Sequence, residues 1–204
     1  VLVNGDPLNS VNWPPAAAQR DFGFGGVRLV SREGIESEVV SIQAEGLFVL
    51  AVVNEQSHGY LIPGADLYQI GNEPDIGGTN DAMSAQDFAS YLQLYRNTYP
   101  DLPMITGGLA SGDANYLKQV RDSGGLIGFS GVAIHYPSSS TVIAAYKRYA
   151  FSLPIYVTEW NTSADRVIAY KAMLKASGVV LSCWFSWGYN EWALSPQQAR
   201  ALTA

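Results

Sequence analysis

At 204 residues, with 48% hydrophobic and 15% charged residues, the chain has the composition of one globular domain and not of a disordered segment. A net charge of −6 argues against nucleic acid or an anionic membrane as a partner. No apolar run reaches the roughly 18 residues of a membrane span, no basic stretch with an apolar core suggests a signal peptide, and the lone cysteine, Cys183, excludes an intrachain disulfide.

Short β-rich runs recur with helical segments between most of them. Strands are expected at Val1–Asn4, Gly26–Val30, Leu47–Val53, Leu67–Ile70, Met104–Thr106, Val132–His135, Pro154–Thr158 and Val180–Ser186. Several are continuous apolar runs, which suits strands covered on both faces in a parallel sheet. Ser84 can cap a helix whose Phe88, Tyr91, Leu92 and Tyr95 form one apolar stripe. Asp113, Thr141 and Ser163 precede further helical stripes, and Ser195-Pro196 opens a short last helix. Gly124-Gly125 and Gly178 stop the helices before them.

Alternating β and α elements argue for a parallel sheet, and the number of units favours a closed (β/α)8 TIM barrel over an open sheet. Residues 1–204 read as a single catalytic domain of that kind, at the short end of its size range. The connection from Val53 to Leu67 has no helical periodicity and contains Gly59, Pro63 and Gly64, so the third helix is expected to be missing or reduced to a loop.

Such a barrel gathers the C-terminal ends of its strands at one mouth. The fourth and seventh expected strands each end in a polar knot with one glutamate: LYQIGNEPD carries Glu73 and LPIYVTEWN carries Glu159. Either glutamate alone reads as a surface residue near a turn. Two of them across one opening are what a retaining glycoside hydrolase needs, one carboxyl protonated as general acid and the other ionised for attack.

Asn72-Glu73-Pro74 after strand 4 and Thr158-Glu159-Trp160-Asn161 after strand 7 resemble the two catalytic signatures of the clan A glycoside hydrolases, retaining enzymes on (β/α)8 barrels. Taken with His135-Tyr136-Pro137, the set is most similar to family 39 of that clan. The resemblance covers essentially the whole chain. It implies Glu73 as acid/base, Glu159 as nucleophile, Asn72 as the partner of the sugar 2-hydroxyl, and Arg28 as the arginine that keeps the nucleophile ionised. The clan often shows His-x-Tyr on strand 6, whereas here His135 and Tyr136 are adjacent. On a regular strand neighbours point to opposite faces. Tyr136 is therefore expected beside the nucleophile, with His135 either a substrate contact or a packed strand residue. Of Trp184 and Trp187 on strand 8, Trp187 is expected to form the floor under the sugar, and the other to pack in the core or between barrel and helices. Asn54, His58, Trp160, Asn190 and Glu191 are further candidates that read more simply as loop residues.

No metal and no cofactor is implied, because no His/Cys/Asp cluster has metal-ligand spacing. The expected partner is a carbohydrate, bound by a monomer. Short loops suggest an open groove and endo-action on a polymer, and with it a secreted or extracytoplasmic setting. A non-catalytic carbohydrate-binding barrel is the alternative. A GDS-type esterase is suggested by Gly5-Asp6 and Gly78-Thr79-Asn80-Asp81, but Pro7 stands where its serine belongs.

Overall fold

The computed structural model describes residues 1–4, 16–21, 23–79, 81–185 and 194–203. Among them eight parallel strands form one sheet: β1 (Leu2–Asn4), β2 (Gly26–Val30), β3 (Phe48–Val53), β4 (Leu67–Asn72), β5 (Met104–Gly108), β6 (Val132–His135), β7 (Ile155–Trp160) and β8 (Val179–Trp184). The ladder runs β5-β4-β3-β2-β1-β8-β7-β6. Isolated parallel bridges from Ile105 to Gly131 and from Leu109 to Ile134 join β5 to β6 and close the ring. The chain is thus a (β/α)8 barrel.

Among the described residues seven helices surround it: α1 (Ala16–Asp21), α2 (Glu36–Ala44), α3 (Ala85–Thr98), α4 (Ala114–Asp122), α5 (Ser140–Tyr149), α6 (Val167–Ala176) and α7 (Pro196–Thr203). Ser84 caps α3 by accepting from the Asp87 N–H, and Asp113 caps α4 by accepting from that of Asn115. One expected cap moves. Ser139, not Thr141, caps α5, while α6 follows Ser163 as expected and begins after Arg166 with no side-chain cap. Ser195 and Gln198 form a reciprocal box at the start of α7.

The connection between β3 and β4 holds one 3-10 turn, Glu55–Ser57, in place of a helix. Ile62 is fully buried and packs into the core on the outer side of the sheet. Its backbone is fastened from both sides. The Ser31 hydroxyl accepts from the Ile62 N–H at 2.7 Å and donates to the Tyr60 carbonyl at 2.7 Å, while the Tyr68 hydroxyl donates to the Ile62 carbonyl at 2.7 Å. One anchored apolar side chain thus substitutes for a helical face.

The barrel interior changes character along its axis. Leu2, Leu50, Leu67, Ile105, Ala133 and Cys183 form an apolar plug. Two residues further along several strands the inward positions become polar: Gln69 follows Leu67, His135 follows Ala133, and Thr158 follows Tyr156, all at the mouth. Burial pushes the Cys183 thiol up to about 12, which leaves it protonated in the plug.

If Ile62 stands in for the missing helix, Ile62→Ala should cost about 2–4 kcal/mol, while Leu61→Ala, at a half-buried neighbour, should cost well under half of that. Urea unfolding of the two variants checks the difference.

Candidate active site

The site depends on one extra residue in β7. Across β6, Ile134 pairs with Val157 but His135 pairs with Glu159. Across β8, Val157 pairs with Ser182 and Trp160 with Trp184, so three steps on β7 face two on β8. Both ladders skip Thr158, which is therefore a β-bulge. Strict alternation from the inward Tyr156 would send Glu159 out to the helices and Trp160 into the mouth. The bulge reverses this, bringing Thr158 and Glu159 inward together.

Glu159 is gripped at both oxygens. Oε1 lies 2.8 Å from Arg28 Nη1, with the two side chains only 9% and 4% exposed. The Tyr136 hydroxyl donates to Oε2 at 3.0 Å. Burial pushes the Glu159 carboxyl up, but the fields of His135 and Arg28, with hydrogen bonds from Tyr136 and Arg28, outweigh it and hold the group below the ordinary range. Burial and the neighbouring Glu159 charge push the Tyr136 phenol well up, so it stays a donor.

Asn72 ends β4 beside this pair. Its Oδ1 accepts from Arg28 Nη2 at 2.8 Å and from Gln69 Nε2 at 3.3 Å. Arginine can only donate, so the amide oxygen must face it, and the Asn72 NH2 is left to donate elsewhere. Glu73 follows in the left-handed region at φ +52, an unusual conformation for a non-glycine residue, with its N–H donating to the Gly108 carbonyl at 2.9 Å. Asp75 pins the same loop by accepting from the Ala110 and Ser111 N–H groups, each at 2.9 Å.

His135 and Tyr136 both reach the mouth although they are adjacent. The register of β6 shifts between Ile134 and His135, the strand ends there, and Tyr136 is left-handed at φ +44. His135 Nδ1 lies 2.9 Å from Glu73 Oε1 and 3.8 Å from Glu159 Oε2. Its Nε2 lies 3.1 Å from the Thr158 hydroxyl. Gly108 makes room for this ring, because a Cβ there would fall 1.9 Å from His135 Nε2. Oxygens of Glu73 and Glu159 and the His135 nitrogen all lie within 4.8 Å of one another. Such a trio could ligate a metal, but the Arg28 guanidinium already bound to Glu159 opposes a dication there.

The structure thus brings together Arg28, Asn72, Glu73, His135, Tyr136 and Glu159. It does not bring Trp160 or Trp184 to them: Trp160 is corrected as a candidate contact, and Trp184 takes the packing place left to the strand-8 tryptophan that is not the floor. Each tryptophan is fully buried in the layer between sheet and helices. Trp160 stacks on Tyr170 at 4.8 Å and meets Trp184 edge-on at 5.1 Å. Asn54 is corrected too: its side chain accepts from the Ser57 N–H and caps the 3-10 turn. His58, also left-handed, ends that turn and is exposed. Trp187, Asn190 and Glu191 lie outside the described residues. Thr158, Gly108 and Gln69 were not foreseen. The signals were a threonine inside the TEWN stretch, a Gly-Gly pair at a strand end, and a glutamine in an apolar strand.

No family model and no curated protein sequence matches the chain. Solved structures do match it. A GH128 (subgroup I) endo-β-1,3-glucanase from Amycolatopsis mediterranei, in complex with laminaritriose and laminaribiose, superposes with a TM-score of 0.70 at 15% identity, covering 99% of this chain and 97% of that one. The endo-1,4-β-mannanase of Rhizomucor miehei gives 0.61 at 9% identity over 91% and 85%. A protein of Neocallimastix frontalis gives 0.63 at 13% identity, and the chain, 98% covered, spans 62% of its length. A Schiff-base-forming fructose-1,6-bisphosphate aldolase matches at 0.60 and 13% identity over 98% and 92%. Likenesses at these identities establish the barrel, and the chemistry has to come from the residues.

The lowered Glu159 value has a consequence for stability. A carboxylate depressed in the folded state contributes stability above its unfolded value of about 4.3, and that stability is lost as pH falls through the folded value. Glu159→Gln should therefore flatten the acid limb of the stability profile below about pH 4.3. Urea melts across that range on both proteins test it, and an unchanged slope would show that Glu159 is not held ionised.

Proposed function

We propose that the chain is a retaining glycoside hydrolase that cleaves a β-linked polysaccharide or oligosaccharide by double displacement. The observation that carries this reading is the pair of carboxylates on the ends of β4 and β7, oxygens within 4.8 Å, in unlike surroundings. An approach that close between one oxygen of each fits the closely set carboxyl groups of retaining enzymes, about 5–5.5 Å apart, better than the roughly 6.5–9.5 Å that inverting ones leave for a water.

Glu159, ionised and aimed by Arg28 and Tyr136, attacks the anomeric carbon. Glu73 gives its proton to the leaving oxygen as the glycosidic C–O bond breaks, and then takes one from the water that opens the glycosyl ester. The free NH2 of Asn72 donates to the sugar 2-hydroxyl, a contact that tightens as positive charge develops on the ring. The site resembles that of the clan A enzymes at Arg28, Asn72, Glu73, Tyr136 and Glu159. Membership of family 39 has no support beyond the short motifs.

The first substrate to test is β-1,3-glucan, because the matched GH128 barrel holds laminaritriose and laminaribiose and is covered almost end to end. Endo-action, a monomeric state and an extracytoplasmic setting belong to the same proposal. A purely carbohydrate-binding barrel would have no use for two carboxylates held in such different environments.

The test is hydrolysis of a panel of β-glucans, mannan and xylan with the first-formed anomer read by NMR. The expected product keeps the β configuration, and Glu159→Ala, folded by circular dichroism, loses at least about a thousandfold in rate. An inverted first product, or an active Glu159→Ala enzyme, would overturn the mechanism.

A further inference from the structure

The Thr158 hydroxyl is fully buried, and its hydrogen-bonding partner among the described residues is His135 Nε2 at 3.1 Å. A buried hydroxyl must place its proton on an acceptor, since leaving it unpaired is costly. Nε2 is that acceptor when the imidazole is neutral, so the ring's own proton lies on Nδ1. The Nδ1–H then donates to Glu73 Oε1 at 2.9 Å, and the 3.8 Å to Glu159 Oε2 is too long to compete. The ring lies close against Gly108, in the space that a Cβ there would need, with both nitrogens engaged by side chains. The charged and titratable groups facing it are Glu73, Glu159 with its partner Arg28, and Tyr136.

From this geometry we infer that Thr158 is a positioning residue: by fixing the Nδ1–H tautomer of His135, it confines the working proton of Glu73 to Oε2. With Oε1 already accepting from His135, the acid proton goes to the other oxygen, which has no protein partner among the described residues, on a side chain 25% exposed. In the first step the Oε2–H bond breaks, its proton passes to the leaving oxygen, and that oxygen keeps the electron pair of the broken C–O bond. Oε1 stays held throughout. Without the hydroxyl the ring can take the Nε2–H form, whose bare Nδ1 accepts the acid proton of Glu73 and withdraws it from the substrate. The β7 bulge therefore has two effects, turning Glu159 inward and placing the group that orients its partner. This inference rests on the acid/base role proposed for Glu73.

The test combines a spectrum with kinetics. The sequence has two histidines, so 15N-histidine NMR with His58→Gln as the assignment control isolates His135. At alkaline pH, where the imidazole is neutral, wild type should show a protonated Nδ1 and a bare Nε2. Thr158→Val should move the proton to Nε2, and Thr158→Ser should retain the wild-type pattern. On laminarin, kcat/KM of Thr158→Val should fall about tenfold, with Thr158→Ser close to wild type. On 2,4-dinitrophenyl β-laminaribioside, whose leaving group needs no proton, the change should stay below about twofold. A neutral wild-type ring protonated on Nε2 overturns the inference, as does a Thr158→Val ring that keeps Nδ1–H. If Thr158→Val does not fold, the wild-type spectrum still decides the tautomer. A wild type with the expected tautomer and no glycosidase activity would refute the proposed function and leave the His135 assignment standing.

Discussion

The buried pair of Arg28 and Glu159 is the interaction on which the upper half of the barrel depends. Two charges withdrawn from water at the top of an apolar plug persist only if each is fully engaged. Glu159 is met at one oxygen by Arg28 and at the other by Tyr136, and Arg28 also reaches Asn72. Asn72 in turn is fixed by Gln69 from the wall of β4. Satisfying one buried carboxylate thus draws in side chains from β2 and β4 and from the end of β6. The residues that could bind and cleave a sugar are the ones that make the charge tolerable.

Much of this was legible in the sequence, for identifiable reasons. The barrel follows from recurring apolar strands with helices between them, and the missing helix from a Gly- and Pro-containing connection without periodicity. Asn72, Glu73 and Glu159 stood out because they fall at or just past strand ends, which share the mouth of a barrel whatever their distance along the chain, whereas Arg28, in the middle of β2, stood out only through the resemblance. Helices α1 and α2 gave weaker signals. Ile35, with no side-chain cap, precedes α2, so nothing polar marks its start.

The rest was hidden because alternation along a strand assumes that no residue is inserted. Applied to β7, that rule turns Glu159 outward and Trp160 inward, and the bulge at Thr158 reverses both. The adjacency of His135 and Tyr136 looked like a conflict for the same reason. It resolves once the strand ends and the next residue turns left-handed. A bulge leaves no composition signature, since threonine is an ordinary strand residue. Only the paired strands on either side reveal it.

The closure of the ring has an uneven consequence for the two carboxylates. Strands β5 and β6 meet through isolated bridges, not a continuous ladder, and the Thr106 hydroxyl adds a stitch to the Ala133 N–H. Glu73 is held from both sides of that seam, its N–H by Gly108 on β5 and its side chain by His135 on β6. The ion pair of Glu159 and Arg28 spans β7 and β2, away from it. Breathing of the barrel at this junction, the kind of local opening that hydrogen exchange detects, would loosen the hold on Glu73 while leaving that ion pair assembled. On warming, the ordered placement of Glu73 would then be lost before the Glu159–Arg28 pair, and both before the fold.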